Sequence, residues 1–388
     1  MQFFVLPHFR VGGEMTIMAT GRSFSYSFDS GASFHSNDSR FFYFATRTGI
    51  SYIGPNNVTL WQYPFVFNNP WMSARGNFVA VGELRGGMNI YVFNENGRHF
   101  SISLDSPIYS FWVNETGLLS VIVRYDGGYG IYVFNEHRTT AINPLFRLDM
   151  FYDLVFPTRV EVSPDGRYVA IAMKDLNVSV RSVVQFRYIN QRDAWNTDQG
   201  HFATEDFYNE SVTALRFMND NRLIIGTTAR IACFQLGPRH ATVRYLWTIQ
   251  LENQKTHIEF FNGTHFAFVT GPRIIGVAGE GDPVGRVRIY GLSRNQLGYF
   301  DLGRRATHLR MGHNSVIVGG DRSFHAMDFR GTPLWEHTSL FDTRDVLFLD
   351  NTNTLLIAGS NRAEIFERRR IREGYREFEF EFGTEEVF

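Results

Sequence analysis

The chain has a single cysteine, Cys233, so no internal disulfide can form. It lies in Arg230-Ile231-Ala232-Cys233-Phe234, an apolar stretch that reads as a strand, where a buried and inert thiol is expected. Such poverty in cysteine suits the cytoplasm, and equally the exterior of a bacterium that does not rely on disulfides. Lysine is nearly missing too: Lys174 and Lys255 are the only two among 38 basic residues. The arginine bias reads either as gene base composition or as a choice of forked donors for anions. Neither sign of charge is in excess, since the formal net charge is −1, and no global field draws the chain to nucleic acid or membrane. Long apolar runs are absent, and residues 1–6 are too short for a signal peptide or a membrane span.

What is present points to strands. Aromatic residues make up 16% of the chain, with 38 Phe and 17 Tyr, and flat rings fill the space between pleated sheets. The 35 Gly suit tight hairpins. Short apolar strands recur, centred near Phe42, Ala80, Ile122, Ala170, Ile224, Ala267, Ile317 and Leu356. Their spacing, roughly 40 to 55 residues, is that of a four-stranded propeller blade. Two units align closely: Asn89-Ile90-Tyr91-Val92-Phe93-Asn94-Glu95 and Gly130-Ile131-Tyr132-Val133-Phe134-Asn135-Glu136. Leu60-Trp61, Leu246-Trp247 and Leu334-Trp335 mark further equivalent strands, in the manner of quinoprotein-like repeats.

The fold expected is therefore all-β: one propeller over residues 1–388 with four-stranded antiparallel blades. Eight blades fit the repeat, and seven is the alternative if Phe42 lies in a capping hairpin. Residues 1–36 supply closing strands or a cap, 37–366 the blades, and 367–388 an edge strand or tail. Ring closure falls to Met15–Thr20, to Phe24–Phe28, or to the alternating Glu377-Phe378-Glu379-Phe380-Glu381-Phe382; the sequence leaves the choice open. Arg368-Arg369-Arg370 reads as part of an outer edge strand kept from aggregating by charge, or as a docking strand.

Val113-Asn114-Glu115-Thr116-Gly117-Leu118-Leu119-Ser120-Val121-Ile122, Ser163-Pro164-Asp165-Gly166 and Phe186-Arg187-Tyr188-Ile189-Asn190 carry a resemblance. In this order they resemble a bacterial domain-of-unknown-function family of membrane-anchored β-propellers, over about Phe41 to Ile365. The resemblance implies a propeller outside the cytoplasm, behind one membrane-spanning helix. It implies no catalytic residues.

Catalytic signatures are hard to find. Gly276-Val277-Ala278-Gly279-Glu280-Gly281-Asp282 lacks the Gly-Lys-Ser/Thr ending of a phosphate loop and reads as a long hairpin loop. A lone cysteine and no calcium-binding carboxylate set argue against a quinone-dependent dehydrogenase. Ser163 to Arg167 has the wrong spacing for a sialidase Asp box, and Asp165 reads as a turn former. His308, His313, His325 and His337 share one expected blade without a recognised ligand spacing. No metal or cofactor is assigned. Asn-x-Ser/Thr sequons begin at Asn37, Asn57, Asn114, Asn177, Asn209 and Asn262.

Two features are candidate binding elements. After each central strand comes a cation: Arg47, Arg85, Arg124, Lys174, Arg230, Arg273, Arg322 and Arg362. Such turns emerge together on one face, around the channel mouth, as a ring for an anionic ligand. Glu83, Asp126, Asp175 and Asp321 would blunt it. The long connection from Gln191 to Glu210 offers Asp193, Trp195, His201 and Phe207 to a partner. The function read from this is a non-catalytic binding or scaffolding propeller of the cell envelope. It is expected as a monomer recognising a protein or a polysaccharide-like anionic polymer, and not nucleic acid. A carbohydrate hydrolase or lyase with convergent channel carboxylates is one alternative, and a cytoplasmic interaction platform is the other.

Overall fold

Successive residues of a strand leave on opposite faces of its sheet. In Phe78–Glu83, Val79 and Val81 point one way and Ala80 the other, and all three are fully buried. Val79 and Val81 join Tyr43, Tyr52 and Phe65, whereas Ala80 joins Phe111, Val121 and Phe134. A sheet with both faces buried needs a neighbour on each side, and this one has them.

The structure is a computed structural model that describes residues 15–36, 40–151, 154–176, 181–189, 200–237, 242–251, 255–261, 263–270, 285–302, 306–312, 314–320, 322–350 and 354–370. The described strands form eight four-stranded antiparallel sheets, each built from strands consecutive in the chain except the last. Blades 1 to 7 span residues 33–64, 70–103, 108–150, 155–208, 212–250, 255–301 and 308–338. Blade 8 takes three strands from 345–370 and its fourth from Met15–Ser25. Helix is confined, among the described residues, to two single 3-10 turns at Phe28–Ser30 and Pro55–Asn57. All eight expected central residues, Phe42 through Leu356, fall in the second strands of their blades, so eight is the blade number.

The core is divided in the same way. Eight apolar clusters form, one at each contact between neighbouring blades, including one between blades 8 and 1 that joins Phe34 and Phe42 to Leu347 and Leu356. The Leu-Trp pairs occupy the fourth strands of blades 1, 5 and 7. There Trp61 Nε1 donates to Glu95 O at 2.8 Å and Trp247 Nε1 to Leu292 O at 3.1 Å, each in the third-to-fourth-strand turn of the next blade. Trp335 has no such turn beside it, because the third and fourth strands of blade 8 come from opposite ends of the chain; it packs with Ile17 and Phe366 instead. The Ser163-Pro164-Asp165-Gly166 turn forms as its sequence dictates. Gly166 takes φ +69°, and Asp165 Oδ1 accepts from Arg167 N at 3.1 Å.

Ring closure is N-terminal. Met15–Ser25 runs antiparallel to Arg362–Arg370, Met15 opposite Arg370 and Ser25 opposite Arg362, with a bulge between Ala19 and Ser23. Thr20 Oγ1 donates to Ile365 O at 2.8 Å, and Arg22 pairs with Glu367 at 2.8 Å. Arg368 to Arg370 thus belong to the third strand, covered by the fourth, and not to an outer edge. Glu377 to Phe382 lie outside the described residues.

Removing residues 1–25 strips the fourth strand from blade 8 and bares a paired edge. The truncated chain is expected to lose its cooperative thermal transition and to aggregate, as read by calorimetry and light scattering. An unchanged transition would show that the seam does not hold the ring.

Candidate functional site

Because neighbouring strands in each blade are antiparallel, second-to-third-strand turns and blade-to-blade connections share one face, here face I. First-to-second and third-to-fourth turns form face II. Backbone bonds fasten face I: Arg85 N donates to Ile108 O at 3.0 Å, Arg124 N to Pro107 O at 3.0 Å, and Leu176 N to Leu154 O at 2.8 Å. The turns are thereby held in place before any ligand arrives.

Among the described members of the expected cation ring, Arg47, Arg85 and Arg322 lie in second-to-third turns, and Arg124, Lys174, Arg230 and Arg362 on the strand ends that flank them, hence all toward face I. These turns stand midway along each blade, between its second and third strands, rather than at the channel mouth. The ring is divided. Arg230 pairs with Glu210 at 3.1 Å over the Phe207 ring, Arg322 with Asp342 at 2.7 Å, and Arg362 with Glu364 at 3.4 Å over Phe341. Arg47, Arg85, Arg124 and Lys174, on blades 1 to 4, have no ion pair among the described residues. Glu83 next to Arg85 is engaged by the Asn68 and Asn69 amides, and Asp175 next to Lys174 by Arg181 at 3.5 Å. Arg273 lies outside the described residues, as do Asp321 and the segment Gly276 to Asp282.

The proposed partner loop is shorter than its sequence implied. Residues His201–Tyr208 form the fourth strand of blade 4, and Phe207 is buried in the contact with blade 5. His201 Nε2 lies 2.8 Å from Thr204 Oγ1. Phe207 is therefore core and not a docking residue, since Arg230 covers its ring. Asp193 and Trp195 lie outside the described residues.

Sequence reading missed the channel. Its wall is the eight first strands, and charged side chains stand near the face II end of several. Arg75 of blade 2 bonds Glu161 of blade 4, bridging past blade 3, and lies 3.7 Å from Glu115 of blade 3. Glu115 in turn lies 3.4 Å from Arg216 of blade 5. Arg75 and Glu161 are 7% and 2% exposed, so the chain of charges closes over this side of the channel. Burial lifts the Glu161 carboxyl above its usual range against the pull of Arg75 and Arg159, and burial lowers Arg159, which sits 5.7 Å from the Trp112 ring centre. Across the ring, Arg310 pairs with Asp345 at 2.9 Å. His35 Nε2 lies 2.9 Å from Gly76 O, and burial holds its imidazole below the ordinary range, so the neutral ring donates. The available signal was a charged residue within a first strand, as Arg75, Glu161 and Arg216 are.

Two carboxylates thus converge in the channel, but Arg75 stands between Glu115 and Glu161, and solvent barely reaches the latter. They serve as counter-ions. Among the described residues the histidines act separately: His308 Nε2 lies 2.7 Å from Arg344 O, His325 lies 3.6 Å from Glu336, and His337 stacks edge-on to Phe366, while His313 lies outside the described residues. No three His, Cys, Asp or Glu side chains among the described residues are close enough to share a metal ion. Cys233 is buried, which pushes its thiol up to about 12. Asn114 is also buried, its Oδ1 accepting from Thr116 N and Leu118 N, so its sequon is closed to glycosylation.

The molecule is a closed propeller with buried ion pairs among the first strands and adjoining turns of blades 2 to 5 and with cations on one face. It belongs to the family of unknown function DUF5711, whose model matches residues 29–367. No curated protein matches the sequence. In fold it is similar to Sqt1 of Saccharomyces cerevisiae, with TM-score 0.58 and 11% identity over 91% of this chain and 100% of that one. BamB from Moraxella catarrhalis gives 0.50 and 12%, over 91% and 100%. The Dos1 propeller gives 0.51 and 11%, over 89% and 94%. At such identities the likeness is one of fold alone. No described helix is long and apolar enough to cross a membrane.

Removing one partner of a buried ion pair leaves the other charge uncompensated. Glu161→Leu is expected to destabilise the protein by about 3–5 kcal/mol in denaturant unfolding, while Arg75→Met/Glu161→Leu recovers most of the loss. Equal losses in both variants would contradict the assignment of these charges as a structural seal.

Proposed function

We propose that the chain is a non-catalytic binding propeller of the bacterial cell envelope that recognises an anionic group of its partner, protein or polymer, on face I. The observation that carries this reading is the run of cations Arg47, Arg85, Arg124 and Lys174 on four consecutive blades, none with an ion pair among the described residues. A guanidinium without an internal carboxylate offers its full fork of donors to a ligand, whereas Arg322 and Arg362 have already committed part of theirs. The envelope location rests on what the resemblance read from the sequence implies, a propeller outside the cytoplasm. The burial of Glu161 and its pairing with Arg75 support binding over catalysis, because the carboxylate is already engaged and shielded from solvent.

Arg85→Ala/Arg124→Ala is expected to elute from immobilised heparin at clearly lower salt than the parent chain. Arg322→Ala/Arg362→Ala is expected to elute close to the parent, since each removes a cation already neutralised by its neighbour. Equal shifts for the two pairs, or none for the first, would overturn the reading. For location, protease added to intact cells is expected to degrade the protein, and protection until lysis would count against an envelope site.

A further inference from the structure

Face I carries a second property besides charge. Among the described residues, sixteen large apolar side chains are exposed. The blade-to-blade connections contribute Phe28, Val66, Phe151, Leu154 and Leu340. Met88 and Leu176 come from second-to-third turns, and Trp71, Tyr109 and Tyr208 from strand ends on the same face. Ten of the sixteen therefore share face I, against Val58, Leu60 and Ile142 on face II, with Met18, Tyr245 and Tyr299 farther along outermost strands. Five of the ten stand on blade-to-blade connections, which only face I has, and the other five on second-to-third turns and strand ends.

Among the described residues, eight of the ten lie on blades 1 to 4 or on the connections between them, as do Arg47, Arg85, Arg124 and Lys174; on face I of blades 5 to 7, residues 252–254, 271–284, 303–305 and 321 lie outside the described residues. Val66 and Phe151 are 84% and 70% exposed, which is costly for side chains of this size unless something covers them. Trp, Tyr, Phe, Met and Arg together are the residue types that fill the centres of protein interfaces. The acids decide between classes of partner. Asp29, Asp105 and Asp126 stand exposed among the cations, so the arc alternates in sign rather than being uniformly basic. A polymer charged along its whole length would meet repulsion at each of them, whereas a protein segment can place a carboxylate opposite an arginine and an apolar group in between.

We propose that face I across blades 1 to 4 docks a segment of a partner protein. Its apolar side chains seat on Trp71, Tyr109, Phe151 and Leu176, and its carboxylates meet Arg47, Arg85 and Arg124. This rests on the reading of face I as the binding face and deepens it by naming the partner's chemistry. The fixed backbone of the turns lowers the ordering cost on the propeller side.

The test is selection of a phage-displayed random peptide library on the whole chain, followed by fluorescence anisotropy with the enriched peptides as synthetic probes. Enriched sequences are expected to combine apolar residues with Asp or Glu. Trp71→Ser/Phe151→Ser should weaken them by about tenfold or more, while Val58→Ser/Ile142→Ser on face II stays within about twofold. Thermal melts check that both variants are folded. No enrichment, equal affinity for the two variants, or binding of the parent chain to phosphatidylglycerol vesicles that the face I variant alone abolishes while the peptides still bind, overturns the proposal. If the heparin shift of Arg85→Ala/Arg124→Ala appears and the peptides ignore Trp71→Ser/Phe151→Ser, the face is right and the protein partner wrong. If neither probe responds to any face I variant, the reading of the face itself falls.

Discussion

Every sheet in this protein has two apolar faces and can cover neither. Val79, Ala80 and Val81 follow one another in the chain, yet they belong to different clusters on either side of blade 2. Repeated around the ring, this requirement leaves no blade able to stand alone, and the last blade must meet the first. The contact of Phe34 and Phe42 with Leu347 and Leu356 is where that condition is fulfilled. The borrowed strand Met15–Ser25 follows from it, since blade 8 would otherwise end on an open edge.

Stability and recognition are consequently kept in different places. The blade contacts are apolar and continuous, so most of what holds the ring together lies between the sheets, with a few turn bonds such as Trp61 to Glu95 O and Arg85 N to Ile108 O added at the faces. The inner strands cannot be covered by a neighbour at the channel, and there the chain uses ion pairs that reach past one blade to the next but one, as Arg75 does to Glu161. Burying these charges is expensive unless they are paired, and the pairing draws four blades together at one end of the channel. Face I is left with side chains that the ring does not need.

Much of this was written in the sequence as repetition. The eight second strands were legible because each is a short apolar run at blade spacing, and the Asn and Gly turns because only certain residues permit the reversal. The cations at second-to-third turns were legible by the same register. Their pairing was not, because Glu210 and Asp342 approach Arg230 and Arg322 only once neighbouring connections are laid over the turns. The channel charges were invisible for a related reason: Arg75 and Glu161 are 86 residues apart and belong to blades that do not touch in sequence order. His201 and Phe207 were misread as loop because a polar, aromatic strand at the outside of a blade carries little apolar pattern, and only its pairing with Arg181–Tyr188 reveals it.

The seam has an effect on orientation. Met15 and Arg370 face one another at the far end of the pairing, so the first described strand enters and the last leaves on the side away from Arg47, Arg85 and Arg124. Both outer ends of the seam thus open on the plain side of the disc, and the decorated side carries neither, like a palm turned away from the wrist's knot.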